Sequence, residues 1–489
     1  MDTLPRRGAL LGGAAALLFA LPWLTYGSAI FRRYGMRDDY AILREALEEP
    51  GKIVRVCSTF GRPLYGLLLE ASLRGADSIG DLSELRLLAV TGLGLLAVAV
   101  FLLLVREGWA WGPAALFAAF LPLTPSAQVI VSWGICWPHT VAMLLGAGAF
   151  ALAPRRWPFT VLGLAAATLT YQVSGLVYAV LVAAALVARR DTSLPETGRW
   201  LARHLGLLAL GLGLAYVTTQ VAFRSGWMTP SPRLTFERHF WDKAVWVVTH
   251  VLPNGLALGA LNRTTGAPPV GYPLMVGVSL VLVAGGVALE GRREGLAASG
   301  RWLLGLVLLS GTACSISFLA GERWPTYRTL FALTGVCGVF FAASLVNLGA
   351  CWPGRGPRVA SGVLAGLVAV SAWLAHRQTL ELFVEPQGRE LALMEEGARQ
   401  VVPSARPRVF VLTALQSDTS APQRYLDEFG SVSVDAEWVA KEMWKAVVRE
   451  RFPQERDVSR LYRFATGRVA PERRQYDILV DMRRLRRGP

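Results

Sequence analysis

The sequence predicts an all-α polytopic membrane protein of about eleven transmembrane helices (residues 1–380), with a small α/β domain at its C-terminal end (residues 381–489). Three observations carry this. Only 17% of the 489 residues are charged and 53% are hydrophobic, whereas a soluble domain carries about 25% charged residues. The charge is unevenly placed, with 36 of the 85 Asp, Glu, Lys and Arg residues in the last 109 positions. The remaining sequence repeatedly offers apolar runs close to the roughly 20 residues needed to cross about 30 Å of hydrocarbon. Disorder, a collagen repeat, a coiled coil and a disulfide scaffold are excluded by the same composition.

In chain order the spans are expected near 8–30, 83–105, 110–131, 136–153, 157–172, 173–188, 204–223, 270–289, 301–320, 327–349 and 358–380. The pair within 157–188 is short for two crossings. Arg6 and Arg7 ahead of the first run also fit a signal peptide, but the run is longer than the usual apolar core and no clean small-residue cleavage site follows, so a retained span is expected. If the spans alternate, Arg6/Arg7, Arg155/Arg156, Arg189/Arg190 with Arg199 and Arg203, Arg292/Arg293 and Arg355/Arg358 share one side. The positive-inside rule makes that side cytoplasmic. The N-terminus is then inside a cytoplasmic (bacterial inner) membrane. Loops 31–82 and 224–269, the turn 321–326 and the tail lie outside. Arg32, Arg33 and Arg37 run against the rule locally, and such charges imply a local partner or an anionic ligand.

The net charge of +15 follows from these basic loops and does not indicate nucleic acid, since no basic–aromatic groove pattern accompanies it. The five cysteines (57, 136, 314, 337, 351) form no CxxC and read as buried thiols, although Cys57 and Cys136 could both face an oxidising side and pair. Within the tail, Arg408–Leu412 and Tyr476–Val480 read as strands and Ala436–Arg451 as an amphipathic helix. Nothing catalytic stands out there, so a structural or acceptor-guiding role is expected.

The most informative stretch follows the first span: Tyr34 to Leu47, YGMRDDYAILREAL. Two adjacent carboxylates, Asp38 and Asp39, precede a helix with Tyr40, Leu43 and Leu47 on one face, expected to lie in the interface plane. The helix N-terminus favours an acid through its free N–H groups and dipole. Capping accounts for one carboxylate but not for two side by side. A pair at a water–lipid boundary suits general-base work or binding of a divalent metal.

These residues resemble the GT-C superfamily of polytopic glycosyltransferases, which use lipid-phosphate-linked sugars outside the cytoplasmic membrane. Asp38–Val54 is similar to the corresponding loop of lipid A aminoarabinose transferases and protein mannosyltransferases. More of the chain looks like the serotype-converting, bactoprenol-glucose-dependent O-antigen glucosyltransferases. The Asp-Asp pair, Gly61-Arg62-Pro63-Leu64 at the start of the next membrane segment, Tyr171-Gln172 at an outer boundary and the span layout carry this likeness. It covers residues 1–350 in topology and about 25 residues in motif. The resemblance implies a polyprenyl-phosphate-linked sugar donor and a glycan, lipid or protein acceptor. It also implies Asp38 as base and Asp39 as an acceptor-orienting or metal-binding partner, with the reverse order open.

The leaving phosphate needs cations, and arginine binds phosphate through paired hydrogen bonds. Arg328 and Arg323, in the outer turn Gly321–Arg328, and Arg62 are the candidates. An arginine reaching lipid headgroups or starting a helix is the alternative for each. Tyr171 and Gln172 are candidates for hydrogen bonding to a sugar, against simple contact between helices. His139 is a substrate-side candidate, against a satisfied interfacial residue. The aromatics of 224–269 suit sugar stacking or an interfacial belt. No P-loop, HExxH or GxSxG occurs where its fold would require it, which argues against an ATP-driven pump and a metalloprotease. A flippase of lipid-linked sugars, with charges near the mid-membrane, and a non-catalytic envelope assembly protein are the rival classes.

Overall fold

The computed structural model describes residues 3–153, 155–189, 192–264, 266–324, 326–413 and 424–486, with side chains from Leu10 to Leu485; Arg190 and the side chains of Arg6 and Arg7 lie outside these. The described chain is predominantly helical, with one small sheet near its C-terminal end.

Helices occupy each of the eleven apolar stretches. Among the described residues, seven are long and apolar enough to cross a membrane: Leu82–Arg106, Gly134–Leu152, Leu194–Arg224, Gly271–Glu294, Leu296–Ala313, Phe331–Gly349 and Gly356–Ala398. An eighth appears if Trp111–Leu123 and Pro125–Ser132, bent by 50°, form one broken span. Leu10–Thr25 and Ser174–Ala188 are apolar but shorter. Phe331–Gly349 is the central helix, buried along most of its length.

The bend has a sequence cause. Pro122 and Pro125 interrupt the run, and Pro125 restarts a helix at a position where its missing N–H costs nothing. The chain then leaves helical geometry at Trp133, makes one 3₁₀ turn over Gly134–Cys136 and resumes with Pro138. Irregular backbone at this depth requires burial in protein, and residues 117–134 are almost all buried. This turn forms the floor of the candidate site.

The boundary expected at residue 380 falls inside a continuous helix. Gly356–Thr379 passes through a π-helical turn, Leu380–Val384, into Glu385–Ala398 without a linker. The apolar surface ends there, but helix-forming sequence does not. Beyond it β1 (Arg408–Leu412), β2 (Arg463–Gly467) and β3 (Ile478–Asp481) form a parallel sheet in the order β2-β1-β3. Val409 pairs with Phe464 on one side and Ile478 on the other. The tail helix Glu437–Arg451 lies in sequence between β1 and β2, as parallel pairing requires of a crossover. Its Trp444 is fully buried. Gly397 permits the packing: a Cβ there would stand 2.4 Å from Val480 and 3.1 Å from Trp444.

Candidate functional site

The loop Arg32–Arg37 is placed by a residue the sequence reading passed over. Arg86, fully buried in Leu82–Arg106, donates to the carbonyls of Ala29 (2.6 Å), Tyr34 (2.9 Å) and Arg32 (2.9 Å). Its guanidinium also lies 4.0 Å from the Tyr34 ring centre. A single rigid fork thereby ties the loop at Arg32 and Tyr34 to the end of the preceding short helix at Ala29. Tyr34 in turn donates its hydroxyl to the Ser132 carbonyl at 2.9 Å.

The two aspartates that follow have different surroundings. Asp39 is fully buried and accepts from the backbone N–H groups of Met36 (3.0 Å), Ile135 (3.0 Å) and Gly134 (3.4 Å). Only glycine fits comfortably at 134, because a Cβ would stand 3.2 Å from Asp39 Oδ1. Burial pushes the Asp39 carboxyl up to about 6, against the pull of Arg86 and the three N–H donors. Its oxygens are thus committed to joining the loop to the 3₁₀ turn. Asp38 is partly exposed, and among the described residues its carboxylate has no hydrogen-bond or ion-pair partner in another residue. Burial raises its pKa above the ordinary value, Arg328 and Arg37 pull it down, and Glu428 adds repulsion. Asp38 and Asp39 are the first two residues of the helix Asp38–Glu48, whose N-cap residue Arg37 makes no capping hydrogen bond through its side chain.

Arg328, whose positive charge pulls on the Asp38 carboxylate, stands in the 3₁₀ turn Tyr327–Thr329 ahead of the central helix. Its guanidinium is 4.8 Å from the Trp133 ring centre and 5.8 Å from that of Trp324. Its backbone N–H donates to Asp427 Oδ2 at 3.0 Å, and its Nε is 3.9 Å from Asp427 Oδ1. Burial alone would lower the Arg328 pKa; Asp427 outweighs it, and the guanidinium stays protonated. Burial raises the Asp427 carboxyl to about 6 against the attraction of Arg328.

The tail therefore enters the site, which its sequence did not suggest. Glu428, beside Asp427, pairs with Arg37 at 2.7 Å, and Asp435 lies 3.5 Å from the same guanidinium. Arg37 has φ +44°, a positive-φ conformation that costs a residue with a side chain energy. Its N–H donates to Ser433 Oγ at 3.0 Å. Ser433 is itself held by Gln387 (2.6 Å) and Glu390 (3.0 Å) from the continuous helix. Two of the arginines on the unexpected side, Arg33 and Arg37, thus have local partners, since Arg33 also pairs with Glu395 and Glu450. The loop helix packs on the tail helix through Arg44–Glu442 (2.6 Å) and Lys445–Glu48 (2.9 Å). Its polar face is partly covered by the tail helix, so it is not a helix resting solely in the interface plane.

The other expected residues divide. Arg62 donates to Gln172 Oε1 at 2.8 Å and lies 4.2 Å from the Tyr171 ring centre. Tyr171 stacks on His139, with ring centres 3.7 Å apart, and His139 Nδ1 meets Ser174 Oγ at 3.0 Å. His139 is almost fully buried. Tyr65 joins this cluster to the aspartates: it packs on His139 and Tyr171 and donates its hydroxyl to the Ile135 carbonyl at 2.5 Å, while the Ile135 N–H binds Asp39. Arg323 is turned elsewhere, 3.5 Å from Glu237. For a divalent metal, no group of three or more His, Cys, Asp or Glu is gathered among the described residues, and the Asp39 oxygens already face N–H donors. All five cysteines are free thiols. Comparison with models of known protein families finds no match, and no curated protein matches the chain.

Proposed function

We propose that this protein is a GT-C-like glycosyltransferase that moves a sugar from a polyprenyl-phosphate donor to an acceptor hydroxyl. The observation that carries the reading is Asp38: among the described residues its carboxylate has no partner in another residue, and burial raises its pKa while the protonated Arg328 pulls it down, at the end of a bundle of apolar helices. In the proposed step Asp38 takes the acceptor's hydroxyl proton as its oxygen bonds to the sugar's anomeric carbon. The bond from that carbon to the phosphate oxygen breaks, and Arg328 stabilises the phosphate that leaves. Asp39 holds the loop in register, and Arg62, Gln172 and Tyr171 line the far side of the same turn. Eleven crossings, with the N-terminus cytoplasmic and the tail extracytoplasmic, complete the reading; the basic loops support that orientation. A flippase is less well supported, because Asp38 opens a short helix and Arg328 sits in a 3₁₀ turn, both outside the long apolar helices.

The test is Asp38→Asn in the purified full chain with a polyprenyl-phosphate-glucose donor. Transfer should fall by about 10²–10⁴-fold, the usual worth of a positioned base, while thermal unfolding stays unchanged. Wild-type transfer by a folded Asp38→Asn chain rejects the assignment.

A further inference from the structure

Strand β2 is an open edge. In the order β2-β1-β3 it pairs only with β1 among the described residues, and no isolated bridge touches it. At its two ends the Arg463 N–H donates to the Pro407 carbonyl and the Gly467 carbonyl accepts from the Thr413 N–H, each at 2.9 Å. Both backbone groups of a strand residue point to one side, and the side alternates along the strand. The groups of Arg463, Ala465 and Gly467 therefore face β1, and those of Phe464 and Thr466 face away from it. An outward row of unpaired N–H and C=O groups is a template for another strand. β2 contains no proline, and its register with β1 runs without a bulge, so neither of these devices blunts the edge.

Beside the edge lies a cavity of about 420 Å³, bounded by Arg44 of the loop helix, Lys441, Glu442 and Lys445 of the tail helix, and Tyr462 and Phe464. That is within the range of sites that enclose a small ligand. Arg44 is engaged by Glu442 and Lys445 by Glu48. Lys441 is exposed, and its ammonium has no partner among the described residues. The cavity thus offers one free positive charge. Tyr462 and Phe464 pack towards Trp444 of the tail helix, with ring centres 5.9 and 6.4 Å away. Side chains alternate between the faces of a strand, so Arg463 belongs to the opposite face. It too is exposed, and its guanidinium has no partner among the described residues. A strand laid along β2 would meet one free cation on each face and a slot for its side chains on the helix side.

We propose that β2 and this cavity bind an extended acidic segment of a partner protein, which joins the sheet as its fourth strand. Pairing with the backbone of Phe464 and Thr466 supplies the affinity, and Lys441 and Arg463 select acidic side chains. A second copy of this chain would bring its own Lys441 and Arg463 to the same edge, so the charges oppose self-pairing. A small anion would engage the ammonium but leave the outward backbone groups to water. The inference stands independently of the proposed transferase reading.

The test uses the full chain in detergent and peptides of about eight residues, an ordinary strand length. Pairs of glutamates alternate with pairs of valines, so that both faces of the peptide carry acids. One control has lysine in place of each glutamate. Two others keep the glutamates and are N-methylated at alternate residues, one for each edge of the peptide. The glutamate peptide should bind and the lysine peptide should not. One N-methylated form should lose binding and the other keep it, because only one edge of an added strand faces β2. Lys441→Glu and Arg463→Glu alter exposed side chains and should leave thermal unfolding unchanged. Each should weaken binding about tenfold, since an attraction is replaced by a repulsion. Binding of neither peptide, equal binding of both, or wild-type binding by both variants overturns the proposal. N-methylation that affects the two edges alike also overturns it, and with binding intact would leave a small-anion site at Lys441.

Discussion

Asp38 and Asp39 are neighbours in sequence and opposites in environment. The pair was legible in the sequence as two acids at a membrane boundary, but their division of labour was not. It depends on N–H groups of Gly134 and Ile135, about a hundred residues away. Because Asp38 must be ionised to accept a proton, and its pKa is raised, transfer should decline on acidification at a higher pH than an ordinary carboxylate would give. A pH–rate profile of kcat checks this; a limb at the usual carboxylate value would mean that Asp38 is not the base. Asp427 was equally invisible, since nothing in its local sequence announces a partner 99 residues upstream. Replacing it with Asn keeps an oxygen for the Arg328 N–H but removes the charge opposing the guanidinium. Asp427→Asn should therefore lower the donor KM, measured at constant acceptor, whereas Asp427→Ala should lose the anchor and reduce kcat as well.

Among the elements, the spans and the amphipathic helices were legible because burial imposes a period that survives in the sequence. Strand β1 and the tail helix fall where the pattern put them, within a residue. What covers each element was less legible. The loop helix shows an apolar face and a charged one, and a charged face reads as solvent-exposed until a complementary helix is known. Arg86 shows the same limit: an arginine near the start of an apolar span reads as a headgroup contact, yet here it is a buried fork on three carbonyls. Arg86→Met should leave those carbonyls unpaired. At about 1–3 kcal/mol for each buried unsatisfied group, the variant should unfold at a clearly lower temperature and lose transfer, and Arg86→Lys should rescue little because one ammonium cannot span the fork. Gly397→Leu should push the continuous helix Glu385–Ala398 away from β3 and the tail helix and cost about 1–3 kcal/mol; limited proteolysis of the tail would detect it.

At the scale of the whole molecule, the tail and the first loop form one unit, built from segments nearly four hundred residues apart. Their contact places 31–82 and the tail on one side of the bundle, so cysteines introduced at Glu49 and Glu437 should label with the same sidedness in intact vesicles. Their coupling is sharpest at Arg37. The positive-φ backbone there would relax in an isolated loop, and the tail opposes this with Glu428, Asp435 and the Ser433 hydroxyl. The side chains of Arg37 and Glu428 are only 18% and 4% exposed, so removing either partner leaves a poorly solvated charge, which is costly. Glu428→Gln should therefore lower kcat although Glu428 sits in the tail, because Arg37 positions Asp38 directly through the backbone. A double-mutant cycle with Arg37→Gln tests this. The two single variants should each lose transfer, and the double variant should lose much less than the product of their effects, with a coupling of about 0.5–3 kcal/mol as found for residues in one ion-pair network. If instead the effects multiply, the tail acts on the site independently of Arg37, and its hold on the strained loop has no part in transfer.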